Sequence, residues 1–275
     1  MAFTLKMATV DDLAAATVVE REAMGNYVYL QDAWHYFNSQ KGGLVCVYDK
    51  DRMVGIGRFT ILPDGTGWLE TLRVTPQYQR RGVGRMIYEQ YSKLAKQYGC
   101  PSMAMFTGIT NTASSGLAEV FGLKTAALHK GWHLTDITGG NAHGFKAVNW
   151  QKAPQLILPL KEQYHNYFTF NRTFYHINEA NARQFAIEGK VYEDAESGSF
   201  IVCGARFQHQ AALHIAMMGG DLDKCIDFAI NLASAQNIPK ISCTFALDNP
   251  ELENALKARG FAAESGTIIT KEIVF

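Results

Sequence analysis

Polar and apolar positions change rhythm along the chain in a readable order. Residues 9–12, Thr-Val-Asp-Asp, can cap a helix running to about Ala23, with Leu13, Ala16, Val18 and Ala23 apolar among polar neighbours. An aromatic stretch follows: Tyr27, Tyr29, Trp34, Tyr36 and Phe37. Residues 44–48, 53–61 and 68–74 read as strands, broken by short turns at 49–51 and 63–65. Connections that short make an antiparallel meander, because parallel strands need long crossovers. After residues 75–84 comes a strongly amphipathic helix, with Val83, Ile87, Tyr91, Leu94, Ala95 and Tyr98 at helical spacing. Gly99 and Pro101 end it. A strand at 103–107, a short helix at 114–121 and a strand at 124–134 complete this half. Residues 136–144, with Gly139, Gly140 and Gly144, read as a linker.

The second half repeats the first in outline. Pro101 and Pro239, Asn111 and Asn249, Gly122 and Gly260, and Leu123 and Phe261 all stand 138 positions apart. The helix predicted at 223–236 falls in the place of the long helix of the first half. Such coincidences without a gap point to a tandem repeat, divided into domains at 1–137 and 138–275. Each domain is expected to be of the α/β class, with a mixed, largely antiparallel sheet flanked by helices.

Composition then narrows the classes. With 275 residues the chain is long enough for two buried cores. Lys+Arg and Asp+Glu both number 26, so the formal net charge is 0, which argues against a nucleic-acid binder. No apolar run reaches the roughly 18 residues of a membrane span, and the start lacks the apolar stretch of a secretory signal. Five scattered cysteines, odd in number and never in C-x-x-C, fit buried reduced thiols and a cytoplasmic location.

The segment that carries chemistry is Gln79-Arg80-Arg81-Gly82-Val83-Gly84, between a strand and the long helix. Glycines let the backbone turn sharply and bring N–H groups close to an anion. The following helix offers unpaired N–H groups and a partial positive charge, which suits a diphosphate. Arg80, Arg81 and Arg85 add cations. The plainer alternative is a loop whose glycines only make a turn. A Walker loop is excluded because no Lys-Ser or Lys-Thr follows the glycines. The dinucleotide fingerprint is excluded because Ile87 stands where its third glycine belongs.

Val74-Thr75-Pro76 followed by Gln79, Gly82 and Gly84 resembles the acyl-CoA pyrophosphate loop of the GNAT N-acetyltransferases. Asn111, a helix and then Gly122-Leu123 stand where that family usually has Gly-Phe after its own helix. The resemblance covers residues 3–135; beyond them it rests on topology and on Asn249, Gly260 and Phe261. It implies that backbone groups of Leu72, Arg73 and Val74 hold the pantetheine arm, and that amides from Arg80 to Arg85 hold the diphosphate. Asn111 would contact the cofactor. It also implies direct attack of an amine on the acetyl-CoA thioester, with no metal. A weaker likeness, through Tyr27, Asp32, Trp34 and Leu72-Arg73-Val74, is to histidine-type amino-acid N-acetyltransferases.

Glu70 is the candidate base, since period-two alternation puts it on one face with Leu72 and Val74; the alternative is a sheet-surface glutamate pairing with a neighbour. The tyrosine that many members place four residues before the Gly-Phe pair, as acid, is missing: position 118 is Ala118, with Ser114 and Ser115 nearby. At the 138-residue offset the loop becomes Met217-Met-Gly-Gly-Asp-Leu222, so the second domain is expected to keep the fold without binding CoA. His129 and His133 lie on a predicted strand and read as structural, and Cys100 as core. The aromatics Tyr27, Tyr29, Trp34 and Tyr36 either line an acceptor pocket or pack over the sheet. The expected function is acetyl transfer to the primary amine of a small molecule or amino acid, with a non-catalytic acyl-CoA sensor as the alternative. No nucleic-acid or membrane partner is expected, and a homodimer stays open.

Overall fold

The meander forms where the alternation places it. In the computed structural model, which describes residues 2–26 and 28–275, Tyr27 lies outside the described residues. The first elements are β1 (Thr4–Met7), α1 (Leu13–Met24), α2 (Leu30–Ser39), β2 (Gly42–Asp49), β3 (Arg52–Ile61) and β4 (Gly67–Val74). Then come α3 (Val83–Tyr98), β5 (Ser102–Gly108) and α4 (Thr112–Val120). Strands β1 to β4 pair in sequence order and antiparallel, and β5 joins β4 in parallel.

One face of this sheet packs on α3. Val45, Val47, Val54, Phe59 and Leu69 meet Val83, Ile87, Tyr88, Tyr91 and Leu94 in one buried cluster. The helix lies close because β3 carries glycines: an added Cβ at Gly55 would sit 2.4 Å from Val83 Cγ1, and one at Gly57 2.0 Å from Tyr91 Oη. Tyr98, counted with the apolar stripe from sequence, is 45% exposed instead, in the last turn of the helix before Gly99. In α1 the inward positions are Ala16, Val19 and Glu20, whereas Val18 points out.

The later elements are β6 (Lys124–Leu134), β7 (Lys146–Ala147), α5 (Ala153–Ile157), β8 (Tyr167–Phe170) and β9 (Thr173–His176). They continue with α6 (Glu179–Ile187), β10 (Val191–Asp194), β11 (Ser199–Gly204), β12 (Leu213–Gly219) and α7 (Leu222–Ala235). The last are β13 (Ile241–Ala246), α8 (Pro250–Ala258), β14 (Ala262–Ala263) and β15 (Ile268–Val274). Here the order is β6-β13-β12-β11-β10-β7, antiparallel except for the parallel pair β12–β13.

The chain folds as two units that are not contiguous halves. The first holds the residues up to Phe106, Asn111–Thr125 and Lys271–Phe275; the second holds Thr107–Thr110 and Ala126–Thr270. Division at residue 137 thus differs from the units at three places: residues 107–110 and 126–137 fall in the second unit, and 271–275 in the first. Residues 129–134 of β6 pair with β13 in the second unit. The last five residues count with the first unit, where Lys271 Nζ donates to Glu119 Oε1 at 2.7 Å and the Phe275 amide to the Pro101 carbonyl at 2.9 Å. Pairing over such separations leaves no local mark in the sequence.

The repeat holds at the level of single hydrogen bonds. Asn111 Oδ1 accepts the Ser114 amide at 3.1 Å, and Asn249 Oδ1 accepts the Leu252 amide at 3.2 Å. The Leu123 amide donates to Ala118 and the Phe261 amide to Leu256, again 138 positions on. Gly122 and Gly260 share left-handed φ values of 84° and 80°. These are the asparagine cap and the glycine stop of equivalent helices. All five cysteines are unpaired and buried, and no helix among the described residues is long and apolar enough to cross a membrane.

His129 has a structural role. It is 1% exposed, its Nε2 lies 2.9 Å from Thr270 Oγ1, and its ring sits 4.5 Å from that of Phe174. Burial pushes its pKa down to about 3. The unfolded chain therefore takes up this proton first, near pH 6.5, and the folded chain only near 3. The fold is expected to lose roughly 1.4 kcal/mol per pH unit from this residue as pH falls below about 6.5. Urea midpoints measured from pH 7 to 4 should fall less steeply for His129→Leu than for the parent chain; equal slopes would show that the imidazole is protonated in the fold.

Candidate active site

Strand β4 is the centre of the site because its two neighbours leave it at different points. Pairing with β5 ends at Leu69 opposite Met105, while pairing with β3 continues to Val74. Residues 70–74 therefore have no strand beside them on the β5 side, among the described residues. Such an edge can hydrogen-bond an extended amide-bearing ligand as an added strand does.

The β3 side carries a bulge. Arg58 pairs with Glu70 and Ile56 with Arg73, so one residue of β3 faces two of β4, and Thr71 takes a left-handed φ of 59°. This changes the faces expected from simple alternation. Ile56 and Arg58 are two apart and share a face, so their partners Glu70 and Arg73 share it too. Val74, opposite Gly55, lies on the α3 face, and Leu72 packs in the α3 cluster as well. Glu70 is therefore not on the face of Leu72 and Val74; the extra residue turns it away from α3, to the side covered by α1 and α2.

On that side Glu70 is part of a polar chain. Thr60 Oγ1 donates to Glu70 Oε1 at 2.6 Å and accepts from Arg58 Nε at 3.0 Å. Arg58, 2% exposed, also donates to the carbonyls of Gln40 and Lys41. Tyr29 closes the group, with its phenol 3.0 Å from Thr71 Oγ1 at the bulge. Burial pushes its pKa upward, so it is held as a neutral phenol. Its backbone is fixed from α1, because Glu20 Oε2 accepts the amides of Tyr29 and Leu30 at 3.3 and 2.9 Å. Sequence reasoning missed Glu20, Thr60 and Arg58. The signal for Glu20 was its place on the buried stripe with Ala16 and Val19, where an acid is out of pattern.

Of the other aromatics, Trp34 is 6% exposed and donates from Nε1 to the Val10 carbonyl, which fits packing over the sheet. Tyr36 lies 6.0 Å from the Phe37 ring, and Tyr27 falls outside the described residues.

The glycine-containing loop follows β4. Pro76–Tyr78 make one 3-10 turn, fixed by Tyr78 donating to Asp49 Oδ2 at 2.9 Å. Gln79 Nε2 donates to the Val74 carbonyl, and Arg80 takes a left-handed φ of 58°. Gly82, with φ 90°, caps α3 without any side-chain hydrogen bond. The first bond of the helix runs from the Met86 amide to the Gly82 carbonyl, so the amides of Val83, Gly84 and Arg85 precede the ladder. Gln79, Arg80, Arg81, Gly82 and Arg85 are exposed; Arg81 lies over the Tyr78 ring and Arg85 pairs with Glu89. A diphosphate fits this cradle, and a pantetheine arm fits the open edge of β4. The donors are present, and among the described residues no side chain caps the helix start.

The second unit differs at the same place. Gly219 lies in β12, where an added Cβ would sit 2.3 Å from Phe200 Cε1. Asp221 caps α7 with its own carboxylate, accepting the Lys224 amide at 3.1 Å. A carboxylate thus already stands at this helix start.

Asn111 contributes a cap to α4, the same bond that Asn249 makes in the second unit. Ala118 is fully buried, and Ser114 and Ser115 are half-buried. Among the described residues no group of three His, Cys, Asp or Glu is placed to hold a metal. A surface hollow at Thr135, Ile137, Ser234, Asn237, Ile238 and Pro239 contains no titratable side chain and offers no chemistry.

Comparison with known proteins agrees with this geometry. Residues 8–123 match the model of the Acetyltransferase (GNAT) family. An acetyltransferase structure from Pyrococcus horikoshii superposes with a TM-score of 0.67 at 14% identity, covering 99% of this chain and 89% of that one. A GCN5-related N-acetyltransferase from Sphaerobacter thermophilus gives 0.67 at 10% identity, over 99% and 95%. A tandem GNAT protein from the clavulanic acid biosynthesis pathway gives 0.64 at 15% identity, over 99% and 98%. No curated protein matches the chain. At these identities the structures speak for the fold, and the family model speaks for the first half. Residues 8–123 are thus a domain of the acetyltransferase (GNAT) family, whose acyl donor is acetyl-CoA, and the chain as a whole has the fold of a tandem GNAT protein.

Proposed function

We propose that the protein is an N-acetyltransferase that moves acetyl from acetyl-CoA to the primary amine of a small molecule or amino acid, with one working site per chain. The observation that carries this reading is the continuous path from the open edge of β4 to the glycine-capped start of α3. Backbone groups of Leu72, Arg73 and Val74 receive the pantetheine arm, and the amides of residues 80–85 receive the diphosphate. Asn111 is kept as a cofactor contact beside its capping role.

The amine nitrogen attacks the thioester carbonyl, the C–S bond breaks, and the thiolate leaves as CoA. Glu70, on the face lined by α1 and α2, takes the amine proton directly or through water. An oxyanion formed in the gap beside β4 meets N–H donors fixed before the reaction. A thiol pKa of about 8.5 makes the thiolate a tolerable leaving group, so Ala118 in place of a tyrosine acid does not stop the reaction. A cytoplasmic setting agrees with five unpaired buried cysteines.

The second unit is assigned a supporting role, because Asp221 fills the helix start there. Calorimetry with acetyl-CoA is expected to give one molecule bound per chain; two would overturn this assignment, and no heat would overturn the whole reading. Ala118 also favours a second reading, a non-catalytic acyl-CoA sensor. It prevails if acetyl-CoA binds and no amine releases free CoA.

A further inference from the structure

Two arginines face the α1 and α2 side of the meander, and they use their donors differently. Arg58 spends its guanidinium inside the fold, on Thr60 Oγ1 and on the carbonyls of Gln40 and Lys41. Arg73 donates from Nη1 to the carbonyl of its own neighbour Leu72 at 3.0 Å. Its Nε is buried and has no acceptor among the described residues. No carboxylate among those residues pairs with it either. Buried donors in folded proteins are nearly always met, so an unmet one calls for an explanation. The pattern is specific: with Nη1 engaged, the remaining edge is Nε with Nη2. That edge takes both oxygens of one carboxylate in parallel.

The bulge decides what stands beside it. Because two residues of β4 face one of β3, Arg73 shares a face with Glu70. The Tyr29 phenol, bonded to Thr71 at the bulge, feels the charges of both. A cation with an unmet donor edge and a carboxylate suited to an amine thus serve the same side of one strand. A ligand that answers both carries an amine and a carboxylate close together.

We infer that the acceptor is a free α-amino acid, whose carboxylate is held by the Nε/Nη2 edge of Arg73 while its amine faces Glu70. The inference rests on the reading of Glu70 as the acceptor-side base. It separates substrate classes by charge. A peptide N-terminus has an amide where the carboxylate should be, so Arg73 stays unmet. A polyamine brings a second cation toward Arg73 and is repelled.

The test measures CoA release for the twenty common L-amino acids and, for each active one, the amine lacking only the carboxylate. The full chain with acetyl-CoA is used. The parent protein is expected to prefer the amino acid by ~100-fold in kcat/KM, chiefly through KM, since the carboxylate is held equally in ground and transition states. In Arg73→Met that preference should fall to within ~3-fold. Arg73→Lys, which keeps the charge and loses the two-pronged edge, should retain about 10-fold. Equal rates for acid and amine in the parent chain overturn the proposal while leaving the acetyltransferase reading in place. So does an equal loss for both in Arg73→Met, which would put the arginine's role elsewhere. Binding of acetyl-CoA without turnover of any acceptor overturns the reading of Glu70, and this proposal with it.

Discussion

Replacing Glu70 by glutamine is expected to lower kcat by ~10²–10⁴ while acetyl-CoA still binds, and to flatten the acidic limb of the pH–rate profile. The amide has the size of the acid, and its oxygen can still accept the Thr60 hydroxyl that now donates at 2.6 Å. The polar chain from Arg58 through Thr60 is therefore kept, and what goes is the ability to take a proton. The size of the loss reports on the acceptor. An α-amino group with a pKa near 7.7–8.0 is partly neutral at pH 7 and asks less of a base than a lysine amine near 10.4. A loss near the lower end of the range would agree with an amino-acid acceptor. An unchanged rate and profile would remove Glu70 from proton transfer.

Gly82→Asp is expected to weaken acetyl-CoA binding by about 100-fold, or ~2.7 kcal/mol at the usual 1.36 kcal/mol per decade. The change puts a carboxylate at the residue that caps α3, as Asp221 stands at the cap of α7, and there it opposes a phosphate. Nothing lies within 4 Å of a Cβ added at Gly82, so no clash is introduced. The left-handed φ of 90° does add strain, of the order of 1–2 kcal/mol for a residue with a side chain. Gly82→Ala separates the two effects, because it carries the strain without the charge, and should cost affinity several-fold less. Raising the salt concentration should recover part of the affinity in the aspartate variant, since charge repulsion is screened. Wild-type affinity in Gly82→Asp would mean that the diphosphate sits elsewhere.

The elements of the first half were legible because each had a local cause. The long helix was marked by its apolar spacing from Val83 and by Gly99, whose φ of 63° and return bond to Lys96 end it. The asparagine caps and glycine stops at 111, 122, 249 and 260 show equally well why the repeat could be read, since every one of those bonds closes within a few residues. The glycine turn that opens α3 was legible for the same reason.

The bulge was not. Whether β4 alternates cleanly from Glu70 to Val74 depends on how many residues of β3 it faces, and nothing inside residues 68–74 records that. One extra residue moved Glu70 from the face of Leu72 to that of Arg73. Tyr29 was weighed as a pocket residue, but its partner Thr71 is 42 positions away. The unit to which the last five residues belong is decided at longer range still.

The sequence by itself determined a tandem α/β chain, a glycine-led helix start in the first half, and an aspartate at the helix start of the second. These depend on backbone freedom and hydrogen bonds within a helical turn or two. Only the tertiary structure decided which side of β4 the carboxylate faces, which arginine keeps an unmet donor, and where one unit gives way to the next. Those depend on strand register and long-range pairing, in which a shift of one residue exchanges the two faces of a sheet.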